Sequence, residues 1–372
     1  MKSVWYLALL TLATSPSIHA QELVPVNLYV ADLKYENGAL KVGTPRKLTG
    51  DRGISSQPAF SPDGKSIVFV ARRDSANAQS DVYRIDLATG AETRVTSTAE
   101  MENSPTITPD GKLMVIRWVP ETLFKEWGPW VYDVKTGQPL SGVLPGPDTV
   151  GYYVRVDSVT YAMVRPRNPS NVAIFDMRSK TMTDYEGPVG NLPPQLIPGR
   201  RAISYARTDS LGRNEIRELD LATRRTSSIA PAVVGRIAHA WTPRGDLIMG
   251  KGNMLYVLRP GSGAQWRELT SFTNRELRSL TAYTVSPAGD KLILISPVKP
   301  QLHQVINDSL EAGRTLTEAL APFDGLSLEV LAAQYEISRG ALTALANAQK
   351  RRRPGDAALI DAFFGRFAPP SP

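Results

Sequence analysis

Residues able to perform nucleophilic or metal chemistry are scarce in this chain. It has no cysteine, which excludes disulfides, thiolate nucleophiles and thiolate metal sites. Its histidines, His19, His239 and His303, are far apart in sequence. Their spacing indicates neither a catalytic triad with an evident serine and aspartate nor a three-histidine zinc site. We therefore predict no catalytic residue, no metal ligand and no cofactor.

Aspartates recur at regular positions, which favours a role in turns over catalysis. Asp63 and Asp110 lie in Pro-Asp-Gly phrases, where the side chain can hydrogen bond to the backbone of a reversal. Further aspartates each precede an apolar residue and a turn: Asp86, Asp133, Asp176 and Asp220. Because a residue repeated along the chain is better explained by structure, we interpret all of them as turn formers. No aspartate-rich loop with EF-hand spacing is present.

These aspartates belong to a repeat with a period of about 45 residues. Its anchor phrase, Phe60-Ser-Pro-Asp-Gly64, is followed by an apolar run, and each unit continues with a segment such as Asp81-Val-Tyr-Arg-Ile-Asp-Leu-Ala-Thr-Gly90. Alternating apolar residues between Pro-Asp-Gly and Thr-Gly turns predict four short strands per unit, which is typical of a β-propeller blade. The anchor phrases of the six units begin at Phe60, Ile107, Val154, Leu196, Trp241 and Val285.

The two ends of the repeat region complement each other. The last unit has only two predicted strands, 281–285 and 291–296, whereas 27–33 and 46–49 match the third and fourth strands of a unit. We therefore predict that residues 27–49 complete the last of six blades. Hydrogen bonding between the chain ends would close the ring and protect its edges.

The Ser-Pro-Asp-Gly-Lys phrase and the segment 81–90 resemble the TolB-like propeller family. The resemblance covers about residues 27–297, and it implies a six-bladed propeller that serves as a protein-binding platform in the cell envelope; calcium in the channel stays open. TolB itself carries an α/β domain ahead of its propeller, whereas here the extra module follows. The propeller is also similar to the one that caps prolyl-oligopeptidase-type hydrolases, but the chain has no Gly-x-Ser-x-Gly elbow.

The residues just before each anchor phrase are candidate ligand contacts. In a propeller the first strand of each blade lines the channel, and the loops that enter these strands form one rim. The rim residues are polar or aromatic, which suits partner binding. They are Gln57, Asn103, Tyr153, Gln195, His239 and Tyr283. For His239, a structural role with satisfied hydrogen bonds is favoured over a ligand contact.

A tryptophan cluster in the second unit is a further candidate. Trp118, Phe124, Trp127 and Trp130 lie within one long connection. Tryptophan is enriched in interface hot spots, so an exposed cluster would be a partner site. The alternative is that these rings fill the interior of an oversized loop.

From Val298 the hydrophobic period becomes helical, which predicts a small C-terminal module over residues 298–368. Leu302, Val305, Ile306 and Leu310 share one helical face. Ser327, Ser338 and Asp356 are predicted helix N-caps, the last before a helix that carries Leu359, Ile360, Phe363 and Phe364. Residues 369–372 are predicted to be a disordered tail.

The segment 331–342 resembles a helix-turn-helix and is followed by the basic run 350–353. A similar phrase occurs in LysM modules that bind cell-wall glycans. Packed amphipathic helices that dock a partner are the favoured interpretation, with glycan contact and nucleic-acid contact as alternatives. The net charge of +7 is scattered along the chain, so nucleic acid is not the expected partner.

The first twenty residues read as a secretory signal. Lys2 precedes the short apolar run 4–13, and the small residues before Gln21 offer a cleavage site near Ala20. No segment is apolar enough to predict a transmembrane span. We predict a periplasmic or secreted, all-β protein with a six-bladed propeller at 21–297, which acts as a non-enzymatic scaffold for an envelope protein. The alternative function is a propeller enzyme acting on a glycan or lactone.

Overall fold

The computed structural model describes residues 25–50, 53–73, 79–118, 127–143, 149–233, 236–261, 263–298, 302–311, 313–326, 328, 331 and 339–367. The predicted signal (1–20), Phe124, the caps Ser327 and Ser338, and the tail 369–372 lie outside these residues, as does most of the helix-turn-helix-like segment. Within the described ranges the chain is mostly β-structure, followed by a small set of helices. None of the helices in those ranges is long and apolar enough to cross a membrane.

The strands between Ile54 and Ser271 form five groups of four consecutive strands, and each group hydrogen bonds in chain order. The first group is β4 (Ile54–Phe60), β5 (Ser66–Arg72), β6 (Asp81–Asp86) and β7 (Glu92–Arg94). The second is β8 (Met101–Ile107), β9 (Leu113–Trp118), β10 (Trp127–Tyr132) and β11 (Pro139–Gly142). The third is β12 (Tyr152–Arg155), β13 (Thr160–Arg165), β14 (Asn171–Asp176) and β15 (Thr181–Asp184). The fourth is β16 (Gln195–Leu196), β17 (Ala202–Thr208), β18 (Asn214–Asp220) and β19 (Thr226–Pro231), and the fifth is β20 (Ala240–Trp241), β21 (Leu247–Lys251), β22 (Met254–Leu258) and β23 (Arg267–Ser271).

A terminal group combines strands from both ends of the β region. It contains β24 (Ala282–Val285), β25 (Lys291–Pro297), β1 (Val26–Glu36), β2 (Ala39–Val42) and β3 (Arg46–Lys47). Strand β1 pairs antiparallel with β25 from Val26–Pro297 to Asp32–Lys291, and β3 pairs with β1. A single parallel pair, Val26 with Ile54, connects this group to the first group.

The second strand of each group is buried on both faces, which explains its continuous apolar run. In β25, Leu292 and Leu294 contribute to an apolar cluster with the fifth group, whereas Ile293 and Ile295 contribute to a cluster with the first group. Alternate residues of one strand therefore pack against two different neighbours, as the two-residue period requires. Equivalent clusters join the first to the second group, the second to the third, the third to the fourth, and the fourth to the fifth.

A buried hydroxyl holds the turn that follows the anchor position. In the fifth group the backbone N–H of Asp246 donates to Thr242 Oγ1 over 3.1 Å, and Gly245 takes a φ of 83° that an L side chain rarely adopts. Ser61, Thr108 and Ser286 accept equivalent backbone bonds in other groups. The Ser/Thr-Pro-x-Gly phrase is thus a turn with its own internal acceptor.

The aspartates of the second turn are turn formers, as predicted. Asp86 Oδ1 accepts hydrogen bonds from the backbone N–H groups of Ala88 and Thr89. These bonds favour the ionised form and lower the pKa of Asp86, and the pKa values of the other members of the set are lowered by the same kind of contact. The equivalent pairs of backbone bonds are made by Asp133, Asp176 and Asp220.

A hairpin that sequence reasoning missed extends β1 toward the fifth group. Strand β1 continues to Glu36 and turns through Asn37 and Gly38, whose φ values are 50° and 78°, into β2. Tyr35 at its end hydrogen bonds to the carboxylate of Asp246 and lies 2.9 Å from Thr242 Oγ1. The Asn-Gly pair between apolar residues is a strong hairpin signal and was the available clue.

The helices after Val298 pack around an apolar core built from their own residues. Leu302, Ile306 and Leu310 are buried in it and Val305 packs against it, as their helical face predicted. The helices whose bounds fall within the described ranges are Leu302–Glu311, Leu316–Leu320, Arg339–Arg352 and Ala357–Gly365, with 3-10 turns at Ala321–Phe323 and Pro354–Asp356.

Two details of the helical prediction need correction. Asp356 is the N-cap residue of the last helix, as predicted, but its side chain makes no cap hydrogen bond, and it is also the last residue of the 3-10 turn that leads into the helix. Leu359 is exposed, unlike Ile360, Phe363 and Phe364. The short helix Leu316–Leu320 was missed, although Thr315 and Glu318 form a capping box whose sequence signature was present.

We expect Thr242→Val to lower the free energy of unfolding by about 1–3 kcal/mol, because the buried N–H of Asp246 loses its acceptor. Thr242→Ser retains the hydroxyl and should cost less than Thr242→Val. Urea unfolding of the two variants and the parent protein measures this difference. Valine keeps the methyl group of threonine and serine keeps the hydroxyl, so a loss in Thr242→Val no larger than that in Thr242→Ser would contradict the role of the hydroxyl.

Candidate functional site

A cavity of about 390 Å³ lies where the first strands of several groups converge. Its walls come from β4, β8, β12 and β24, the segment 192–195, and the paired ends of β1 and β25. Most of the surface of the walls is apolar, and the polar side chains among the lining residues carry hydroxyl and amide groups. Among the described residues that line it, none carries a charge. Representative wall residues are Ser56, Pro58, Pro105, Tyr152, Pro193 and Thr284.

Gln57 and Ser104 form a hydrogen-bonded tie across one wall of the cavity. Gln57 Oε1 accepts from the backbone N–H of Ser104 over 2.6 Å and from its hydroxyl over 3.0 Å. Both residues have positive φ, at 51° and 49°, and both lie where the strand register shifts. Non-glycine residues rarely adopt this conformation, so the same bulge in two neighbouring groups holds the chain in an unusual shape at the cavity.

The two predicted tyrosines of the rim are fastened to neighbouring groups. Tyr153 OH lies 2.6 Å from Thr106 Oγ1 in the second group. Tyr283 OH donates to the carbonyl of Ala238 and accepts from the backbone N–H of Gly250 over 2.6 Å. Burial raises the pKa of both phenols. Their rings line the cavity while their hydroxyls stay bonded within the protein.

His239 lies outside the residues that line the cavity and forms a tie between the fourth and fifth groups. Its Nε2 lies 2.9 Å from Ser204 Oγ, which also accepts from the indole N–H of Trp241 over 2.8 Å. Its Nδ1 lies 3.2 Å from the carbonyl of Ile237. Burial lowers the pKa of His239 to about 4. The imidazole is therefore neutral at pH 7 with both nitrogens bonded, in agreement with the structural interpretation.

Of the remaining two rim candidates, one lines the cavity and the other does not. Gln195 lines the cavity, and its Nε2 donates to the carbonyl of Pro193 over 3.2 Å. Asn103 is not among the lining residues, and its neighbour Ser104 takes that place. Ser104 is the equivalent of Gln57, because each lies three residues before its anchor phrase and within the same kind of bulge. The predicted rim residue of the second group was therefore displaced by one position.

The tryptophans of the second group are half-buried. Trp118 and Trp127 are directly opposite on β9 and β10, with ring centroids 6.0 Å apart. Arg117 stacks over Trp130 at 4.3 Å. Trp127 and Trp130 also pack against the apolar clusters on either side of the group. These rings thus have an interior packing role together with a partly exposed surface.

Glu102 is a buried carboxyl that sequence reasoning missed. It accepts hydrogen bonds from Thr96 Oγ1 over 2.9 Å, from Tyr132 OH over 3.2 Å, and from Thr98 Oγ1. Burial, together with the nearby charge of Asp81, raises the pKa of Glu102 to about 7. The one sequence signal for its burial was alternation, since Glu102 lies two residues before Ser104 on β8 and both are buried. No group of histidine and carboxylate side chains suited to a metal ion occurs among the described residues.

Comparison with known proteins addresses the fold. No protein-family model matches the chain. It is similar to a solved structure assigned as TolB from Agrobacterium tumefaciens, with 16% identity and a TM-score of 0.55 over 73% of this chain and 98% of that one. The chain has a TolB-like propeller fold. At this identity the similarity establishes the architecture and leaves the activity open.

Two further solved structures resemble the propeller more distantly. TolB from Acinetobacter baumannii matches with 16% identity and a TM-score of 0.46, over 72% of this chain and 63% of that one. The match therefore spans less than two thirds of the Acinetobacter protein. An oligogalacturonate lyase from Vibrio parahaemolyticus matches with 12% identity and a TM-score of 0.45, over 69% of this chain and 82% of that one.

His239 should make the propeller less stable in mild acid. Between pH 6.5 and about 4 the unfolded chain binds a proton that the folded histidine does not, so the free energy of unfolding falls as the pH falls through this window. The total loss is about 3 kcal/mol at ~1.4 kcal/mol per pKa unit. Urea unfolding of the parent protein and His239→Asn, compared from about pH 7 to about pH 4.5, should show a smaller loss in the variant. Parallel pH profiles would contradict the assignment.

Glu102 should have the opposite effect. Its pKa of about 7 lies above the ordinary 4.5, so the folded state binds the extra proton and loses stability as the pH rises through this window. We expect Glu102→Gln to gain about 2–3 kcal/mol relative to the parent protein between about pH 5 and about pH 8. Chemical denaturation at both pH values measures the gain. A difference that is the same at both would contradict the raised pKa.

Proposed function

We propose that this protein is a non-enzymatic, protein-binding scaffold that engages its partner at the central cavity. The observation that carries the proposal is the cavity itself, which combines apolar walls with hydroxyl and amide groups and has no charged lining among the described residues. Such a site suits an uncharged segment of a partner with amphipathic side chains. The proline and tyrosine surfaces supply contact area at little cost in side-chain entropy.

The architecture we propose for the scaffold is a closed ring of six blades, formed by the five groups and the terminal group. Each group shares an apolar cluster with the next, and the terminal group shares clusters with both the fifth and the first. The pairing of β1 with β25 supports closure by the two chain ends. We also propose that residues 21–297 and 298–368 are two structural units, with 369–372 as a tail.

An envelope address completes the proposal. Residues 1–20 have the charge, apolar run and small-residue site of a secretory signal, so the mature protein would act in the periplasm or outside the cell. The enzyme alternative requires convergent carboxylates or histidines at the channel. The cavity provides none among its described lining residues, and His239 is bonded on both nitrogens.

We expect Ser56→Trp to weaken partner capture, because the indole would occupy the cavity that Ser56 lines. Ser179→Trp is the matched control, since Ser179 is exposed in the turn between β14 and β15 and is not among the cavity residues. Each variant and the parent protein are used to capture proteins from an envelope extract, and a retained partner is then titrated. The expected result is an affinity at least about tenfold weaker for Ser56→Trp alone, equal to ~1.4 kcal/mol.

Equal capture by Ser56→Trp and the parent protein would remove the cavity from the binding surface. Thermal unfolding of both tryptophan variants checks that the fold is retained, so that a loss of capture can be assigned to the site.

A further inference from the structure

A second concave site lies between the fourth and fifth groups, away from the cavity. It is a groove of about 460 Å³ at the turns that follow the first strands β16 and β20. The cavity, in contrast, is lined by the starts of the first strands and the segments that enter them. The groove contains Arg200, Glu218, Ile229, Trp241 and Arg259.

Two arginines in the groove are held by buried carboxylates. Arg200 contacts both carboxylate oxygens of Glu218, at 2.7 and 2.5 Å, and Arg259 contacts both oxygens of Asp246, at 2.8 and 2.7 Å. The side chains of Glu218 and Asp246 are only 7% and 6% exposed, whereas those of Arg200 and Arg259 are 54% and 59% exposed. A bidentate pair uses two of the five donors of a guanidinium. Each arginine is therefore fixed in place while most of its side chain faces solvent.

The space between the two arginines has an apolar wall. Trp241 is half-buried, and its indole N–H is bonded to Ser204 Oγ, which fixes the ring. Ile229 and two prolines, Pro198 and Pro260, complete this wall. Tryptophan and arginine are the residue types most enriched in binding hot spots. The combination fits an apolar side chain flanked by anionic groups.

The surrounding turn surface is also basic. Arg201, Arg224, Arg225 and Arg244 are exposed on the adjacent turns. Arg201 is paired with Asp157 at 2.9 Å, and Arg244 stacks over Tyr35 at 4.3 Å. Asp157 and Asp220 lie on the same turns, with Asp220 4.0 Å from Arg200, so the surface carries an excess of positive charge and not a single sign. Such an excess around a concave site steers an oppositely charged partner toward it.

We propose that this groove binds an acidic segment of a protein partner, with carboxylates on Arg200 and Arg259 and an apolar side chain against Trp241. A peptide segment is favoured because the site is a recess with an apolar wall between two cations. A membrane surface would meet the basic turns without filling the recess. The groove would give the scaffold a second binding surface, independent of the cavity.

The probe is a fluorescein-labelled synthetic peptide with glutamates on both sides of a leucine. Its binding to the full-length protein is measured by fluorescence anisotropy. Comparison peptides carry lysine in place of glutamate, or glycine in place of leucine. We expect binding of the first peptide, none of the lysine peptide, and weaker binding of the glycine peptide. No binding of the first peptide, or equal binding of all three, would overturn the proposal.

Gly261→Glu tests the location of the site without breaking an ion pair. Gly261 lines the groove, and a Cβ added there would have no neighbour within 4 Å, so the new carboxylate should be tolerated and repel the probe. Gly355→Glu adds the same charge in the helical region at a position that is equally open. We expect peptide binding to weaken at least about tenfold in Gly261→Glu and to stay unchanged in Gly355→Glu. Equal effects in both variants would overturn the assignment.

Two further probes separate the classes of partner. The first probe is a single-stranded DNA oligonucleotide and the second is phosphatidylglycerol vesicles. If either binds more tightly than the acidic peptide, and Gly261→Glu abolishes that binding, the groove recognises that class of partner and the proposal is overturned. Ser56→Trp should leave peptide binding unchanged, and Gly261→Glu should leave cavity binding unchanged. Failure of the groove and failure of the cavity are therefore distinguishable.

Discussion

The antiparallel pairing of β1 with β25 is the constraint on which the remaining structure depends. It runs from Val26–Pro297 to Asp32–Lys291 and joins residues from opposite ends of the β region in one sheet. The paired strands then pack against the fifth group on one face and the first group on the other. Val26 and Pro297, the first of these pairs, also line the cavity. The contact that connects the chain ends therefore also builds part of the candidate site.

Polar side chains near the cavity connect one group to the next. Gln57 bonds to Ser104, Tyr153 to Thr106, and Tyr283 to the carbonyl of Ala238. Buried polar groups must be satisfied, and here each partner comes from the neighbouring group. These ties position the prolines and small hydroxyl residues that form the cavity walls. Side chains that were predicted as ligand contacts therefore also help to shape the site.

The two candidate binding sites differ in their chemistry for a structural reason. The cavity lies at the convergence of first strands, where the mostly apolar walls would partly desolvate a charge and make it costly. The groove lies at exposed turns, where arginines reach solvent and are held from behind by Glu218 and Asp246. An uncharged ligand segment suits the first environment and an acidic one suits the second. One fold can therefore present two surfaces of different specificity.

The sequence by itself determined the local elements of this protein. The Ser/Thr-Pro-x-Gly phrase and the repeated aspartates predict turns because their side chains bond to nearby backbone, and this local chemistry holds in the structure. The alternation within strands and the helical face of Leu302, Ile306 and Leu310 follow from the same short-range periodicity. The TolB-like resemblance was visible for this reason as well, since it rests on the repeated phrase.

Only the tertiary structure decided which residues meet. Gln57 and Ser104 are 47 residues apart in the chain, and their hydrogen bond forms only because two neighbouring groups bring equivalent bulges together. Burial raises the pKa of Glu102, and this burial exists only in the packed structure, where the hydroxyls of Thr96, Thr98 and Tyr132 bond to the carboxyl and offset part of the shift. The groove at Trp241 likewise requires the fourth and fifth groups to lie side by side. Burial and long-range contacts depend on packing, and they are what turn a repeat of similar strands into distinct sites.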